Sequence, residues 1–280
     1  MAVNNLADDT DLDSTQASLP EKVLPPPLKW AGGKRWLLPS LAPLFERYRG
    51  RRLVEPFAGG MAVTLGLLPE RALINDVNPH LINFYNQILQ GLQIAESDLV
   101  NERDFYFSRR ARFNTLIEAK QSNTMESAAL FYYLNRTGFN GLCRFNSHGL
   151  FNVPFGRYKT INYIRDFTHY TSRFARWSFT CQDFETLDVH PDDFLYVDPP
   201  YDVQFTKYSK EDFTWHDQER LVAWLTNLAA PMVVSNQATE RIVELYTKSG
   251  FTVRTVSAPR RISCNGDREP ASEMIATKNL

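Results

Sequence analysis

The sequence FLYVDPPY, at Phe194–Tyr201, is a short apolar run that ends in a rigid turn. Its apolar half predicts a buried strand, which puts Asp198 at the carboxyl end of that strand, where open α/β sheets bind their ligands. Pro199 and Pro200 fix φ and lack N–H donors, so the carbonyls of Asp198 and Pro199 can face a ligand instead of a neighbouring strand. Tyr201 adds a flat aromatic face to the turn.

A carboxylate, a fixed carbonyl and an aromatic ring suit a planar NH2 group on a heterocycle. The two acceptors can hold both hydrogens of the amine while the ring stacks on the heterocycle. Acceptors that draw these hydrogens out of the plane favour a tetrahedral, nucleophilic nitrogen and stabilise the positive charge that builds on attack. The alternative is an ordinary strand-to-loop exit with an N-capping aspartate, since Pro-Pro occurs in many loops. The turn alone leaves both interpretations open.

Composition indicates a globular protein. The 280 residues, 43% hydrophobic and 22% charged, suffice for one large or two modest domains with a buried core. A formal net charge of −1 means that any contact with nucleic acid depends on local basic patches. Cys143, Cys181 and Cys264 are widely spaced, which predicts neither a zinc site nor disulfides and favours a reducing compartment. With no signal-peptide pattern and no membrane-length apolar run, we expect a soluble intracellular protein.

The beginning of the chain divides into a polar tail and a glycine-containing motif. Residues 1–24 are mostly polar, which predicts a disordered tail, and the prolines at 25–27 form a stiff connection to the folded part. The motif KWAGGK at Lys29–Lys34 precedes a helical pattern over 37–45. A Gly-Gly loop at a helix start can bring N–H groups against an anionic ligand. The alternative is a loop whose tryptophan packs into the core.

A strand, a glycine-rich turn and a helix follow at 51–57, 58–60 and 62–68. This order is that of the nucleotide-binding half of a doubly wound fold, in which glycine permits close approach of the backbone to the ligand. A second strand over 72–74 leads to Asp76, about 20 residues past the glycines, where an acidic side chain can bind ribose hydroxyls. The ordered set predicts a cofactor that contains adenosine.

Residues 79–165 differ in character from the rest. Helical spacing over 81–92 and 128–134 is separated by a charged connection, whose arginines are Arg103, Arg109, Arg110 and Arg112. The sequence then reads NRTGFNGLCRFN at 135–146 and FNVPFGRY at 151–158, which predicts a hairpin or loop inserted into a helical lobe.

This predicted hairpin is basic and aromatic. No acidic residue lies between Glu126 and Asp166, whereas five basic residues do: Arg136, Arg144, Arg157, Lys159 and Arg165. Basic side chains for phosphates, Asn and Arg for base edges and aromatic rings for stacking would make a surface that reads DNA. The alternative is a glycine-rich surface hairpin with a solvated charged face.

The rest of the chain resumes the alternation of strands and helices. The predicted elements are strand 177–181, helix 217–228, strand 231–236, helix 240–249 and a terminal hairpin of 251–256 and 273–277 with the loop 260–270. After the first of these strands, Gln182–Phe184 could hold an adenine ring, or Phe184 could pack the strand exit. The loop 202–213 could close over a substrate.

Together these motifs resemble the Dam family of DNA adenine-N6 methyltransferases. The resemblance covers about 28–277, and the order Lys29–Lys34, Glu55–Gly60, Asp198–Tyr201 is the α-group order of that family. KWAGGK and NGLCR with FNVPFGRY are highly specific, whereas DPPY alone is shared with other amino-methyltransferases. The implied fold is α/β, a Rossmann-like methyltransferase sheet with an inserted, mainly helical target-recognition lobe that carries a β-hairpin.

The resemblance also implies a domain division and partners. Residues 25–79 and 166–280 would form the catalytic domain, and residues 80–165 the domain that recognises DNA. The implied partner is double-stranded DNA, with no membrane contact and a monomeric enzyme. The implied location is the cytoplasm of a bacterial or phage-infected cell, where such enzymes serve DNA methylation, including restriction-modification.

By the same resemblance, S-adenosylmethionine is the methyl donor, and no metal or covalent enzyme intermediate is implied. Its expected contacts are Trp30, Gly32, Lys34, Phe57, Gly59, Asp76, Phe184 and Asp198. The target adenine would be flipped from the duplex at a cost of a few kcal/mol. Tyr201 would stack on it, which recovers roughly 1–3 kcal/mol. Asp198 and the Pro199 carbonyl would hold its amine, with Pro200 completing the catalytic turn.

The family reads GATC through the segment that matches Phe139–Tyr158. The expected DNA contacts are Lys29, Phe139, Asn140, Leu142, Arg144, Pro154 and Tyr158. Arg144 would recognise a guanine, worth about 1–3 kcal/mol of discrimination. Phe139 would insert at the vacated site, Leu142 and Pro154 would meet a thymine, and Lys29 would approach the first base pair.

Two departures from the family pattern make the recognition sequence less secure than the reaction. Phe139 stands where many relatives carry tyrosine, and the loop 265–269 has two acids where relatives tend to be more basic. The acids would weaken phosphate contacts. The alternatives are an enzyme that methylates cytosine N4 or RNA adenine, and a DNA-binding module without activity.

Overall fold

A computed structural model describes residues 24–201, 213–258 and 271–280. Several predictions fall wholly or largely outside these ranges: the polar tail, the loop 202–213, the loop 260–270 with its acids at 265–269, and Cys264. Leu24 is a correction to the predicted tail, because its apolar side chain is buried in the hydrophobic core.

Short apolar segments form the strands of one mixed sheet. They are β1 (Leu53–Glu55), β2 (Ala72–Asn75), β3 (Trp177–Thr180), β4 (Phe194–Val197), β5 (Met232–Gln237), β6 (Thr252–Ala258) and β7 (Ala271–Lys278). Their order across the sheet is β3-β2-β1-β4-β5-β7-β6. Strands β1 to β5 are parallel, and β7 runs antiparallel between β5 and β6. The predicted α/β class and the terminal hairpin are confirmed.

Helices connect most of these strands. In the described ranges they are α1 (Leu38–Glu46), α2 (Thr64–Leu67), α3 (Pro79–Leu89), α4 (Arg103–Glu118), α5 (Met125–Thr137), α6 (Thr168–Phe174), α7 (Trp215–Thr226) and α8 (Glu240–Lys248). None of the described helices is long and apolar enough to cross a membrane.

The core lies on both faces of the sheet, because successive side chains of a strand point to opposite faces. Leu53 and Phe194 belong to the cluster that includes buried residues of α1, α3, α5 and α6. Val54 and Leu195, their neighbours along β1 and β4, belong to the cluster that includes buried residues of α7 and α8. The central strands are thus covered on both sides, which fits their apolar sequences.

The charged connection expected around Arg103–Arg112 is instead part of the 16-residue helix α4. Its buried residues Tyr106, Phe113 and Leu116 are spaced by seven and three residues, which is a helical pattern. The many arginines between them make this pattern hard to recognise in the sequence. Helix α4 packs against α5, and α5 against α3. Residues of this lobe share one continuous cluster with residues of the sheet.

The predicted hairpin is present after α5. Antiparallel bridges join Gly138 to Phe155 and Phe145 to Phe151. Between them, the Asn152 N–H donates to the Arg144 carbonyl at 3.1 Å. The pairing is too interrupted for continuous strands, but it gives residues 138–155 a fixed shape at the edge of the lobe.

Candidate active site and DNA-reading surface

The sheet order places the two main motifs side by side. Strands β1 and β4 are paired at the sheet centre, and the chain continues to β2 on one side and β5 on the other. This reversal is the topological switch point, where ligands of open α/β sheets bind beyond the carboxyl ends of the strands. The turns after Glu55 and Val197 both leave the sheet there.

Asp198 forms an ion pair with Lys34. The Lys34 Nζ lies 2.9 Å from Asp198 Oδ1 and 3.1 Å from Oδ2, and it also donates to the Gly32 carbonyl at 2.9 Å. The Lys34 side chain is only 2% exposed and that of Asp198 is 20% exposed. Buried charges need such pairing, so the KWAGGK loop and the DPPY turn are held together.

Strand β5 also orients Asp198. The Ser235 hydroxyl lies 2.9 Å from Asp198 Oδ1 and donates to it, and the Tyr196 hydroxyl is 2.9 Å from the Ser235 oxygen. Burial raises the pKa of Asp198, whereas Lys34 and the Ser235 hydrogen bond act in the opposite direction. These hydrogen bonds hold the carboxylate in one orientation. Ser235 was not predicted, although its place near the carboxyl end of a buried strand could have indicated it.

The remaining residues of the turn are also held by contacts. Pro199 is buried and Pro200 exposed, and the Pro200 carbonyl accepts a hydrogen bond from Gln218 at 2.9 Å. The Tyr201 hydroxyl donates to Glu273 Oε1 at 2.5 Å, and Lys34 Nζ lies 4.8 Å from the centre of the Tyr201 ring.

The glycine turn after β1 is shaped by Trp30. A Cβ on Gly59, whose φ is +46°, would lie 2.6 Å from the Trp30 Nε1, and one on Gly60 would lie 2.9 Å from the Trp30 Cβ. Only glycine permits this approach, so the loop of Lys29–Lys34 covers the turn.

Asp76, which is predicted to bind ribose hydroxyls, directly follows β2 at the carboxyl edge of the sheet. Its carboxylate accepts the Gly59 N–H at 3.0 Å and the Asn78 N–H at 2.9 Å, and burial raises its pKa. Its side chain is only partly exposed. This pair of bonds fixes a carboxylate beside the glycine turn, and its contact with the ribose of a cofactor stays a prediction.

Aromatic rings line the neighbouring strand exits. Phe57 lies 5.6 Å from Phe184 and 5.6 Å from Phe213, between ring centres. Phe184 is 3% exposed, and the Arg220 Cζ lies 5.1 Å from the centre of its ring. These contacts agree with the packing interpretation of Phe184, and its contact with an adenine ring stays a prediction.

Glu55 is a buried acid that sequence reasoning placed in a motif without giving it a role. It ends β1, is 2% exposed and accepts a hydrogen bond from the Thr64 hydroxyl. Burial raises its pKa to about 8, and the nearby carboxylates of Asp198 and Asp76 add to the rise. A charged residue within an apolar strand sequence was the signal that could have marked it.

The hairpin segment is joined to the loop of Lys29–Lys34 through Asn135. This buried side chain accepts the Lys29 N–H at 2.8 Å and donates to the carbonyls of Lys29 and Gly141 at 2.8 Å and 3.3 Å. The Lys29 Nζ donates to the Arg136 carbonyl at 2.8 Å and lies 3.7 Å from the centre of the Tyr158 ring. Burial and then the charge of Arg136 lower the pKa of Lys29 to about 8.

The other predicted DNA contacts lie along the hairpin. Phe139 is 43% exposed, Arg144 and Pro154 are exposed, and Asn140 and Leu142 are partly buried. Arg144 donates from Nε to the Asn152 side-chain oxygen at 2.8 Å, which holds its guanidinium along the hairpin.

The structure thus brings the predicted residues together in two groups. Around the switch point lie Trp30, Gly32, Lys34, Phe57, Gly59, Asp76, Phe184 and Asp198–Tyr201. Along the hairpin and its junction lie Lys29, Phe139, Asn140, Leu142, Arg144, Pro154 and Tyr158. Within the described ranges, no group of three His, Cys, Asp or Glu side chains is arranged to hold a metal ion.

Comparison with known proteins identifies the class. Residues 30–262 match the model of the D12 class of N6 adenine-specific DNA methyltransferases. The chain belongs to that class, and it is therefore an adenine-specific DNA methyltransferase, as the resemblance of its motifs implied.

Similar proteins of known name indicate a narrower family within this class. The retron Ec67 DNA adenine methylase of Escherichia coli is 36% identical over 89% of this chain and 90% of its own length. The DNA adenine methylase of Haemophilus influenzae is 35% identical over 90% of this chain and 92% of its own length. The DNA N-6-adenine-methyltransferase of Escherichia phage P1 is 36% identical, but the chain spans only 33% of that longer protein. The predicted membership of the Dam family is confirmed.

Solved structures give a more distant likeness. Magnesium protoporphyrin IX methyltransferase from Synechocystis, solved with bound S-adenosylmethionine, has a TM-score of 0.34 at 10% identity, over 88% of this chain and 79% of its own. The methyltransferase domain of bacterial Hen1 has a TM-score of 0.38 at 11% identity, over 88% of this chain and 99% of its own. The strand order and the family match define the Rossmann-like methyltransferase fold without them.

Proposed function

We propose that this DNA adenine methyltransferase flips an adenine out of duplex DNA, within GATC, and methylates its N6 with S-adenosylmethionine as donor. The observation that carries the proposal is the Asp198–Tyr201 turn, whose carboxylate is fixed by Lys34 and Ser235 at the switch point. We further propose that the enzyme is a monomer in the cytoplasm of a bacterial or phage-infected cell. Residues 25–79 and 166–280 would carry out catalysis, and residues 80–165 would recognise DNA.

The cofactor contacts follow from the donor set around the glycine turn. S-adenosylmethionine supplies an activated methyl group when bound. Asp76 would bind its ribose hydroxyls, Trp30 and Phe57 would contact its apolar parts, and the Lys34 ammonium would balance its carboxylate. The close fit of Trp30 on Gly59 supports this assignment, since it gives the site one well-defined wall.

The role of the turn is to activate the amine. Asp198 and the Pro199 carbonyl would accept one hydrogen each from N6, which pyramidalises the nitrogen and stabilises the charge that develops on it. Tyr201 would stack on the extruded base. Because Asp198 is already oriented by two partners, little reorganisation is needed when the base arrives.

Specificity is assigned to the hairpin. Arg144 would donate two hydrogen bonds to a guanine in the major groove, and Phe139, exposed at the edge of the lobe, would fill the space that the flipped adenine leaves. Leu142 and Pro154 would contact a thymine methyl group, Asn140 and Tyr158 the neighbouring backbone and bases, and Lys29 the first base pair.

The test is to express the protein in cells without adenine methylation of their own and to map modified bases across the genome. Methyladenine confined to GATC is expected. Methyladenine in another sequence would disprove the specificity, and unmodified DNA would disprove the reaction.

The Asp198→Ala variant is the matched control for this test. It should abolish methylation, because the amine loses its charged acceptor. It should also lower the free energy of unfolding, because the buried Lys34 ammonium keeps only the more distant Glu273 carboxylate as a counter-charge. Near-normal turnover of this variant, measured on a GATC duplex, would contradict the assigned role.

A further inference from the structure

We propose that Glu273, on β7, is a positioning residue that holds the Tyr201 hydroxyl and so orients the ring on which the target base stacks. The inference rests on the proposed function of the Asp198–Tyr201 turn. Glu273 lies beyond residues 30–262, the range that matches the family model, and it belongs to none of the motifs that the sequence analysis singled out.

The sheet brings Glu273 to the site from the far end of the chain. In the antiparallel register, Glu273 is opposite Gln237, and Ile275 is opposite Ser235. Opposite residues share a face of the sheet, so Glu273 lies on the same face as Ser235, which contacts Asp198. The reversed strand β7 therefore adds a carboxylate at the carboxyl end of β5, beside the switch point.

The contacts of Glu273 are those of a fixed acceptor. The residue is 6% exposed, and its Oε1 accepts the Tyr201 hydroxyl at 2.5 Å. Its Oε2 lies 3.8 Å from Lys34 Nζ, the same ammonium that binds Asp198. A hydrogen bond from a hydroxyl to a carboxylate is short and strong, so this contact fixes the far end of the Tyr201 side chain.

Fixing that end sets the direction of the long axis of the side chain, since the backbone of Tyr201 follows two prolines and the hydroxyl is anchored at the other end. The ring can still turn about this axis, but the phenolic O–H prefers to lie in the plane of the ring, so its hydrogen bond to Glu273 favours one ring plane. A ring that is already in place for stacking does not have to be ordered when the flipped base enters, which lowers the cost of binding the base. Glu273 would thus act on the base through Tyr201, without touching it.

The experiment is a double-mutant cycle of Glu273→Ala and Tyr201→Phe, with turnover measured on a GATC duplex. Glu273→Ala should lower kcat about 10- to 100-fold with little change in KM, because misplacement of a group at the reacting centre acts on the chemical step. Tyr201→Phe keeps the ring but removes the hydroxyl and should have a similar effect. The double variant should be no worse than either single variant, because both changes break the same contact.

Three further measurements separate positioning from folding. Glu273→Gln keeps an oxygen acceptor in the same volume, so it should recover part of the lost kcat and remains informative even where Glu273→Ala does not fold. A duplex with 2-aminopurine at the target position should fluoresce less with Glu273→Ala than with the wild-type protein, since a larger fraction of the target base stays in the duplex, where stacking quenches it. Ser272→Ala, at the exposed neighbouring residue on β7, is the control and should behave as the wild type.

Additive losses in the double variant, or an unchanged kcat in Glu273→Ala, would overturn the positioning role. These results are distinct from failure of the proposed function. If the wild-type protein transfers no methyl group to adenine, both proposals fail, whereas an active wild type with an additive cycle removes only the role of Glu273.

Discussion

Glu55 shows how a single residue can make this protein sensitive to pH. Its carboxyl group is buried at the end of β1, beside the glycine turn, and bonds to Thr64. Because its pKa is raised from 4.5 to about 8 in the folded protein, the folded state holds a proton that the unfolded state releases.

The free energy of unfolding should therefore fall as the pH rises from about 4.5 to 8, because Glu55 is protonated in the folded chain and ionised in the unfolded chain over this range. The unfolded chain binds fewer protons than the folded chain in this window, which gives the negative slope. Glu55→Gln should remove a pH-dependent decrease in the free energy of unfolding, on the order of 4 kcal/mol between these two pH values. Urea denaturation at pH 5 and pH 8 measures it, with the exposed Glu70→Gln as control. A variant whose pH profile matches that of the wild type would contradict the assignment.

Arg144 makes a second prediction at the level of one residue. Arg144→Ala should reduce the discrimination between guanine and other bases at one position by about 1–3 kcal/mol. Its kcat/KM on GATC should fall by a smaller factor than the factor by which its relative kcat/KM on duplexes altered at that guanine rises. The measurement compares kcat/KM on GATC and on duplexes that differ at one base.

Asn152→Ala is the matched variant, because it removes the oxygen that holds Arg144 Nε and leaves the guanidinium itself. It should relax specificity less than Arg144→Ala. A fall in activity that is equal on all duplexes would identify Arg144 as a phosphate contact.

Among the helices, α3 connects the proposed cofactor site to the hairpin at its first turn. Asn78 caps it by accepting the N–H groups of His80 and Leu81 at 3.0 Å and 3.3 Å. The same side chain donates to the Cys143 sulfur at 3.3 Å, and its backbone N–H donates to Asp76. The end of one helix thus contacts both a proposed ribose ligand and the residue between Leu142 and Arg144.

Loss of the cap should destabilise the protein. Asn78→Ala should lower the free energy of unfolding by about 1 kcal/mol, whereas Asn78→Ser keeps a capping oxygen and should lose only a few tenths. Urea denaturation of the two variants decides between the cap and the sulfur contact. Equal losses in both would show that the Cys143 contact, which serine cannot make, carries the effect.

The elements themselves were predictable where apolar patterns are strong, and less so elsewhere. The strands around Val54 and Leu195 are short apolar runs with turn residues after them, and the structure places them as expected. Helix α4 was missed because its arginines cover an apolar face of only three buried residues. The contact of Lys34 with Asp198 follows from the sheet order, but that of Tyr201 with Glu273 depends on a strand register that no local pattern specifies.

For the whole molecule, the net charge of −1 makes DNA binding a local property. Arg157 is exposed on the acid-free hairpin segment, and Arg176 is exposed just before the amino end of β3, opposite the site. Arg157→Ala should weaken DNA binding and reduce the slope of log K against log salt by about 0.9, if it binds one phosphate.

Arg176→Ala is the charge-matched control for this measurement. Fluorescence anisotropy at several salt concentrations should give it the slope of the wild type. Equal changes in the two variants would indicate a diffuse effect of total charge instead of a local contact.

The pairing of Lys34 with Asp198, 164 residues apart in sequence, has a consequence for synthesis of the protein. The KWAGGK loop leaves the ribosome early, and at about 5–20 residues per second it precedes its carboxylate partner by roughly 8 to 33 seconds. Its ammonium group cannot be buried with a counter-charge before β4 has been made. A nascent or prematurely terminated chain therefore carries the KWAGGK loop without its Asp198 partner, and the proposed methylating centre forms only after the late strands have joined the sheet.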